Sequence, residues 1–311
     1  MSEFYHVSVL LEECLEGLHI RPDGIYVDGT LGGAGHSSQI AARLTTGRLI
    51  GIDRDPVALK AAAKRLEPYK DRVTLVHSNF CHIAQVLKDL EIPQVDGILL
   101  DLGVSSPQLD DGERGFSYMA DAPLDMRMNS EDILTAATVV NTWPQEELRR
   151  ILYDYGEERY APAIAGAICR RREIAPIRTT LELVDVSRSA MPAAALREKQ
   201  HPAKRSFQEI RIAVNDELGS VEQVMGDAIP CLAKGGRLAV ITFHSLEDRI
   251  VKNGMAAASK GCTCPPNFPV CVCGKKPQVK LISRKPIVSG QAELDRNPRA
   301  RSAKLRVCEK L

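Results

Sequence analysis

A glycine-rich segment lies between a predicted strand and a predicted helix near the start of the chain, and its composition is typical of a ligand-binding loop. Residues 27–36 read Val-Asp-Gly-Thr-Leu-Gly-Gly-Ala-Gly-His and join a short apolar run to a helical pattern. Glycines allow the backbone to approach a ligand closely, and the N-terminus of the following helix has unpaired N–H groups. Asp53 ends the next predicted strand, where a carboxylate can accept hydrogen bonds from both ribose hydroxyls. These features predict a nucleoside-containing ligand; a turn made only for tight packing is the alternative.

The spacing of the glycines bears on which ligand is bound. A dinucleotide fingerprint reads G-x-G-x-x-G, but Gly33-Ala-Gly35 is followed by His-Ser-Ser, so the third glycine is missing. An acid, Asp28, instead precedes the loop at the end of the first strand. This arrangement resembles the S-adenosylmethionine loop of class I methyltransferases. Hydride transfer to NAD is the second interpretation.

A further acid, Asp101, ends the fourth predicted strand. In a doubly wound sheet the loop after it borders the ligand crevice. Methyltransferases that act on exocyclic amines carry a [Ser/Asp/Asn]-Pro-Pro-aromatic motif there, which Ser106-Pro107-Gln108-Leu109 matches only in part. Such an amine is a poor nucleophile, because its lone pair is delocalised into the base. We predict Asp101 as the catalytic residue, bordering both cofactor and target amine; a helix cap or ion-pair partner is the alternative.

Alternating strand and helix patterns must position these residues. Continuous β-branched runs predict buried parallel strands near residues 24–28, 48–53, 72–77 and 95–101. Helical patterns between them indicate a doubly wound α/β sheet. A later strand and a closing antiparallel pair are predicted near residues 236–243, 279–286 and 303–308.

The strand pattern stops between the fourth and fifth strands. Residues 108–129 form a polar loop, helical patterns follow, and one long helix is predicted over residues 206–232. We predict an α/β domain made of residues 1–104 and 206–311. Residues 105–205 are predicted to be an inserted, all-helical domain that recognises the substrate.

Composition excludes several classes of protein. The chain has 311 residues, of which 44% are hydrophobic and 26% charged, as in folded globular proteins. Its apolar runs are too short to span a bilayer, and no signal peptide is visible. Nine cysteines without a secretory signal predict a reducing, cytoplasmic protein with no membrane partner. The net charge of +1 neither indicates nor excludes a nucleic-acid partner.

Long segments spread over nearly the whole chain carry a family resemblance. They include residues 6–11, 26–37, 51–56, 99–110, 114–117, 123–128, 155–159, 201–205, 243–252 and 297–302. On these segments the chain resembles the bacterial 16S ribosomal RNA cytosine-N4 methyltransferases, the MraW/RsmH family. The resemblance implies a class I methyltransferase fold, S-adenosylmethionine as cofactor, and a cytidine N4 amine in the decoding region of 16S rRNA in the small ribosomal subunit as target.

The resemblance also implies a set of cofactor contacts. The matching residues are Ala34, Gly35, His36, Asp53, Phe80, Asp101 and Gln108. Asp53 is expected to hold the ribose and Phe80 to pack on adenine, while His36 is expected to contribute through its backbone. Two other functions stay open: an adenosylmethionine-dependent enzyme that methylates DNA amines, and a non-catalytic RNA-binding module that keeps the nucleotide pocket.

Four further features are weaker signals. Residues 204–211 and 297–306 are basic and are candidate RNA-facing surfaces. His244 follows a strand as a candidate general base, although a structural histidine is the simpler interpretation. The cysteines in C-x-C-x6-C-x-C are Cys262, Cys264, Cys271 and Cys273. Four thiols this close could bind zinc, but the usual spacing is C-x2-C, so reduced thiols are the alternative and no metal is assigned.

Overall fold

The computed structural model describes residues 8–156, 158–198, 201–262, 264–265, 270 and 272–311, without the side chains of residues 106 and 107. The chain divides into two compact units. The sheet unit comprises Met1–Gly103 and Leu218–Leu311, and the helical unit comprises Val104–Glu217.

The sheet unit contains a seven-stranded sheet in the order β3-β2-β1-β4-β5-β7-β6. The strands are β1 Ile25–Asp28, β2 Arg48–Asp53, β3 Val73–His77, β4 Val95–Asp101, β5 Leu232–Thr242, β6 Val279–Leu281 and β7 Lys304–Lys310. Strands β1 to β5 run parallel, and β7 is antiparallel to both β5 and β6. The predicted doubly wound sheet with a closing antiparallel pair is therefore confirmed. Its strand order reverses at β1, between β2 and β4, and ligands bind at such switch points.

Helices in the described residues surround the sheet or form the second unit. In chain order they are α1 Leu11–Leu18, α2 Gly35–Arg43, α3 Pro56–Arg65, α4 Ile83–Asp89, α5 Ser106–Asp110, α6 Ala136–Thr142, α7 Gln145–Asp154, α8 Ala161–Ile174, α9 Thr180–Ser189, α10 Lys204–Asn215, α11 Glu217–Cys231, α12 Ser245–Ser259 and α13 Gln291–Arg296. None of these helices combines the length and apolar character needed to cross a membrane.

The sheet is buried on both faces, because alternate residues of one strand enter two different cores. Val27 and Ile98 lie in a core that also contains residues of α4, α11 and α12. Their neighbours Tyr26 and Leu99 lie in a second core, with residues of α1 and α2. This two-sided burial explains why the strand sequences are continuous apolar runs rather than alternating patterns.

The predicted long helix over residues 206–232 is wrong, because the chain forms two helices there. Asp216 adopts a left-handed backbone conformation, with a φ of 45°, between α10 and α11. Aspartate is one of the few residues that tolerate this conformation. The apolar residues of α10, among them Phe207 and Ile210, belong to the core of the helical unit. That unit therefore ends at Glu217, whereas the sequence places the boundary after residue 205.

The segment predicted as a polar loop, residues 108–129, is anchored in the core of the helical unit. Leu124, Met126 and Met128 are buried there with the apolar residues of α6 to α10. The Asn215 side chain accepts from the backbone N–H of Met128 at 2.7 Å and donates to the carbonyl of Met126 at 2.8 Å. One buried amide at the end of α10 therefore fixes the path of this segment.

The helical unit also contains a buried acid with an unusual environment. Glu209 on α10 is fully buried, and neither of its carboxylate oxygens has a hydrogen-bond partner among the described residues. Burial raises the pKa of Glu209 to about 9; the nearby Glu158 adds to this shift and Arg205 opposes it. A Cβ on Gly156 would lie 1.6 Å from Glu209 Oε1, so only glycine fits beside this carboxyl. Glu209 is therefore protonated at neutral pH.

This raised pKa makes the stability of the helical unit depend on pH. The carboxyl of Glu209 keeps its proton in the folded state up to about pH 9, whereas in the unfolded state it loses the proton above about pH 4.5. The free energy of unfolding therefore falls as the pH rises from about 4.5 towards 9. We expect Glu209→Gln, which cannot ionise, to be more stable than the parent by about 1–3 kcal/mol at pH 8, with little difference near pH 5. Urea unfolding followed by fluorescence of Trp143, the one tryptophan of the chain, reports on this unit. Glu173→Gln, an exposed acid of α8, is the control, and an equal gain at both pH values would contradict the prediction.

Candidate active site

The glycine loop after β1 crosses the carboxyl ends of three neighbouring strands. The N–H of Gly29 donates to the carbonyl of Leu99 in β4, and the N–H of Leu31 donates to the carbonyl of Ile52 in β2. A Cβ on Gly29 would lie 2.6 Å from a Leu100 methyl carbon, so glycine is required for this close approach. The loop therefore lies at the switch point of the sheet, where the sequence placed a ligand.

The loop turns into α2 through left-handed backbone conformations. Gly32 has a φ of 49°, and Ala34, directly before the helix, has a φ of 57°. A Cβ on Gly33 would meet no atom within 4 Å, so the backbone is open at this point. The first amides of a helix lack partners within the helix. The N-terminus of α2, which begins at Gly35, can therefore donate to a ligand lying over the loop.

Asp28 holds this loop against α2 rather than presenting a free carboxylate. Its two oxygens accept from the Ser37 hydroxyl at 2.7 Å and from the N–H of Thr30 at 3.2 Å. The residue is almost completely buried, and burial raises its pKa to about 6, although both hydrogen bonds oppose the shift. Ser37, which lies on the first turn of α2 and faces back to β1, is not among the residues predicted from the sequence.

Asp53 connects the end of β2 to the same loop. Its Oδ2 accepts from the N–H of Gly32 at 2.7 Å, and its Oδ1 accepts from the N–H of Asp55 at 2.8 Å. Burial raises the pKa of Asp53 to about 6 against these hydrogen bonds. Each carboxylate oxygen has a second lone pair. The side chain can therefore hold the loop and still accept from two hydroxyls of a ligand.

Asp101 and His36 form a pair beside the loop. The Nε2 of His36 lies 2.9 Å from the carbonyl oxygen of Val9, which only accepts, so Nε2 carries a hydrogen. Its Nδ1 then faces Oδ2 of Asp101 at 3.7 Å. The N–H of Asp101 donates to the Thr30 hydroxyl at 2.6 Å. His36 is 6% exposed, and its ring contacts Val9 and faces Asp101. The backbone contact to the cofactor predicted for His36 stays a prediction.

The other oxygen of Asp101 is the most informative atom of the site. Oδ1 is buried and has no hydrogen-bond partner among the described residues. Burial raises the pKa of Asp101 to about 6; His36 opposes this shift, while Asp28 and Glu247 add to it. A buried acceptor without a partner costs free energy unless a ligand satisfies it. Oδ1 can therefore accept from a ligand, and the catalytic role of Asp101 stays a prediction.

The two remaining predicted residues differ in their placement. Phe80 begins a short 3-10 turn after β3, and its Cβ lies 3.1 Å from the position that a Cβ on Gly29 would take, so it borders the loop. Gln108 belongs to the helical unit, where it is buried and its Oε1 accepts from the N–H of Ser105 at 3.1 Å. Among the predicted residues, Asp53, Phe80 and Asp101 lie beside the glycine loop in the sheet unit. Gln108 is a residue of the helical unit.

His244 has a structural environment at the start of α12. Its Nε2 lies 3.0 Å from Oε1 of the buried Glu247, an ion-pair distance. The other oxygen of Glu247 accepts from the backbone N–H groups of Phe243 and His244. Neither ring nitrogen of His244 makes a hydrogen bond among the described residues, so the choice between a structural histidine and a general base stays open. Glu247 itself was missed in the sequence, where only its place three residues into the helix indicated a capping role.

Some side chains of the two basic stretches, residues 204–211 and 297–306, are held in ion pairs within the protein. Arg211 donates to both oxygens of Glu217, at 2.7 and 2.9 Å. Arg306 is 9% exposed and donates to Asp248, which Lys304 also contacts. These pairs lower the pKa of Asp248. Arg211 and Arg306 are therefore structural ion-pair residues, and their assignment to RNA-facing surfaces is corrected.

The sheet order, the loop after β1 and the acid ending β2 define a class I, S-adenosylmethionine-dependent methyltransferase. The sequence comparisons identify the family within this class. The model of the MraW methylase family matches residues 3–311, and the chain belongs to this family.

Relatives in other bacteria extend over the same length. The chain is 57% identical to a ribosomal RNA small subunit methyltransferase H of Heliobacterium modesticaldum, over 99% of both chains. It is 59% identical to the protein of the same name from Brevibacillus brevis, over 99% of this chain and 98% of that one. A solved structure of a putative rRNA-methylase from Clostridium thermocellum aligns over 98% of this chain and 100% of that one, with 12% identity and a TM-score of 0.45. That likeness is distant, and family membership rests on the sequence matches.

Proposed function

We propose that this chain transfers a methyl group from S-adenosylmethionine to the N4 amine of a cytidine in the decoding region of 16S rRNA, in the small ribosomal subunit. The full-length similarity to small-subunit RNA methyltransferases supports the substrate class. The observation that carries the chemistry is the buried, unpartnered Oδ1 of Asp101 at the switch point of the sheet. An enzyme with this substrate acts in the cytoplasm.

The residues of the sheet unit fit the donor. The paired acceptors of Asp53 suit the ribose hydroxyls, and the ring of Phe80 suits the adenine face. The N–H of Gly35, at the start of α2, suits the carboxylate of the methionine part, since helix N-termini favour anions. Ala34, whose own N–H donates to the Leu31 carbonyl at 2.8 Å, is proposed to contact the donor beside it. When bound, S-adenosylmethionine supplies a methyl group that its sulfonium activates for transfer. Gln108 is proposed as a further contact to the donor.

The chain itself must make the cytosine amine nucleophilic. Asp101 in its ionised form accepts an N–H of the amine through Oδ1, which favours a lone pair directed out of the plane of the base. The His36 ring, fixed by the Val9 carbonyl, lies beside the other oxygen of Asp101, with Nδ1 3.7 Å from Oδ2. Holding the amine in line with the methyl supplies much of the rate, since orientation effects reach about 7–11 kcal/mol. The same carboxylate is placed to accept the proton that the methylated amine loses.

The target base must leave its stack to enter such a site, so the protein must also bind the surrounding RNA backbone. Lys204 and Arg205 are exposed at the first turn of α10. Positive charges are unfavourable at a helix N-terminus, so helix stability does not explain them. We propose that they contact phosphates. The exposed Arg301 of the C-terminal segment is a second candidate.

We expect Lys204→Ala/Arg205→Ala to weaken binding of a 16S rRNA fragment and to reduce the slope of log K against log salt by about 1–2. Arg211→Ala is the matched control, because Arg211 lies on the same helix but is held by Glu217. Its salt slope should equal that of the parent chain. Filter binding between 50 and 300 mM salt measures both, and equal slopes for all three proteins would contradict the phosphate role.

The function itself is tested by supplying labelled S-adenosylmethionine with three substrates: small-subunit particles from cells lacking the modification, protein-free 16S rRNA, and duplex DNA. We expect label on particles or on rRNA, with nuclease mapping and mass spectrometry placing it on N4 of one cytidine. Label on DNA alone would favour the DNA-methylating alternative. Binding of the donor without transfer to any substrate would favour the non-catalytic RNA-binding module.

A further inference from the structure

The segment between α12 and β6 has a closed base, and the valines described within it are exposed. The N–H of Gln278 donates to the carbonyl of Ala258 at 2.9 Å, and a Cβ on Gly261 would lie 3.1 Å from Pro277 Cδ. The two valines described within the segment, Val270 and Val272, are 69% and 73% exposed. These described side chains do not form a core, so the segment needs a different source of order.

Three cysteines of this segment lie together. The Sγ atoms of Cys262, Cys264 and Cys273 are all within 4.8 Å of one another. The Sγ atoms of Cys262 and Cys273 are 3.7 Å apart. A disulfide would bring them to about 2.05 Å. Two thiolates on one tetrahedral zinc ion lie about 3.8 Å apart, given a Zn–S bond of about 2.3 Å. The observed separation therefore matches the edge of a zinc tetrahedron.

The backbone around these sulfurs also suits a metal ligand. The N–H of Cys264 donates to Sγ of Cys262 at 3.3 Å. An N–H group directed at sulfur stabilises the thiolate, which is the form that binds metal. Soft thiolates in a tetrahedral arrangement select zinc over the harder divalent cations. The expected reducing compartment keeps these thiols available.

We propose that Cys262, Cys264 and Cys273 bind one zinc ion that closes this segment at the end of α12. The site is structural, because it contains none of the residues assigned to the donor or to the target amine. Cys271, the fourth cysteine of the sequence pattern, lies outside the described residues, and the proposed site consists of the three described thiols. The proposal concerns a metal centre separate from methyl transfer and does not rest on the proposed function.

Metal analysis of the full chain, purified in the presence of a thiol reductant and without a metal-affinity tag, tests the proposal. We expect about one zinc per chain, and less than a tenth of that in Cys262→Ser/Cys264→Ser/Cys273→Ser. Cys169→Ser/Cys231→Ser is the matched control, because it removes two partly buried thiols elsewhere and should keep the zinc. Full zinc content in the triple variant, or none in the parent chain, would overturn the site.

A second measurement keeps the test informative if the triple variant fails to fold. Zinc is removed from the parent chain with a chelator and replaced by Co²⁺. Tetrahedral thiolate ligation gives strong visible d–d bands and a sulfur-to-cobalt charge-transfer band, and loss of the metal should lower the Tm reversibly. A cobalt spectrum without the charge-transfer band would overturn thiolate ligation. Alkylation and mass spectrometry showing these cysteines as disulfides in the reduced preparation would do the same.

Discussion

Asp101→Ala is expected to lower the rate of methyl transfer by about 10²–10⁴-fold at saturating S-adenosylmethionine, the range that a positioned proton acceptor contributes. The variant removes a buried carboxylate oxygen that lacks a partner among the described residues, and also the group that His36 faces. Binding to the small-subunit RNA should be unchanged, because Asp101 is not part of the basic surface. Single-turnover rates with labelled donor measure the loss.

The pH dependence of the parent chain tests the same role. Since the pKa of Asp101 is raised to about 6, the acceptor is ionised above this pH and protonated below it. We expect the single-turnover rate to be constant above about pH 7 and to fall as the pH drops through 6. Asp28 and Asp53 have pKa values near 6 as well, so the donor must be saturating at every pH. The residual rate of Asp101→Asn, which has nothing to ionise, should lack this fall.

Asp96→Asn is the matched control for both experiments. Asp96 lies on the same strand, and its carboxylate accepts from the N–H of Ile25 at 2.7 Å, near the start of β1. The variant therefore perturbs a comparable hydrogen bond on the same strand without touching the site. Turnover within about twofold of the parent is expected for it. Parent-like turnover in Asp101→Ala would refute the catalytic assignment.

The elements of the sheet unit could be predicted from sequence because each depends on local information. The predicted ends of four parallel strands lie within one residue of the observed ends. A short, continuous, β-branched run is typical of a strand that is buried on both faces of a sheet. The break between α10 and α11 could not be placed in this way. Asp216 occurs within an otherwise helical pattern, and its left-handed conformation becomes favourable only when the two helices pack into different units.

The residues of the site could be named, but their partners could not. The contact between His36 and the carbonyl of Val9 joins residues 27 positions apart, and that between Asp101 and Thr30 joins residues 71 positions apart. No spacing rule in the sequence predicts such pairs. Ion pairs are equally hard to predict from sequence. Arg211 lies in a basic stretch of the sequence, and only the structure shows that it is paired with Glu217.

Asp53→Ala is expected to weaken binding of S-adenosylmethionine by about 10–100-fold, because hydrogen bonds to a charged group contribute about 1.5–3 kcal/mol. Calorimetric titration at pH 8, where the parent carboxylate is ionised, measures the loss. Asp55→Ala is the control: Asp55 is a buried acid two residues away that caps α3 through the N–H of Val57. Its loss should cost about 1 kcal/mol of stability without changing the affinity for the donor.

The same variant has to separate two roles of Asp53, since its oxygens also hold the amides of Gly32 and Asp55. A thermodynamic cycle separates the two roles: the affinities of the parent chain and of Asp53→Ala are each measured for S-adenosylhomocysteine and for its 2′-deoxyribose analogue. If the carboxylate accepts from the ribose, removing the hydroxyl costs affinity in the parent chain but little further in Asp53→Ala, so the two losses do not add. Additive losses would mean that Asp53 acts only by holding the loop, and the ribose would need another acceptor. A coupling above about 0.5 kcal/mol decides for direct contact.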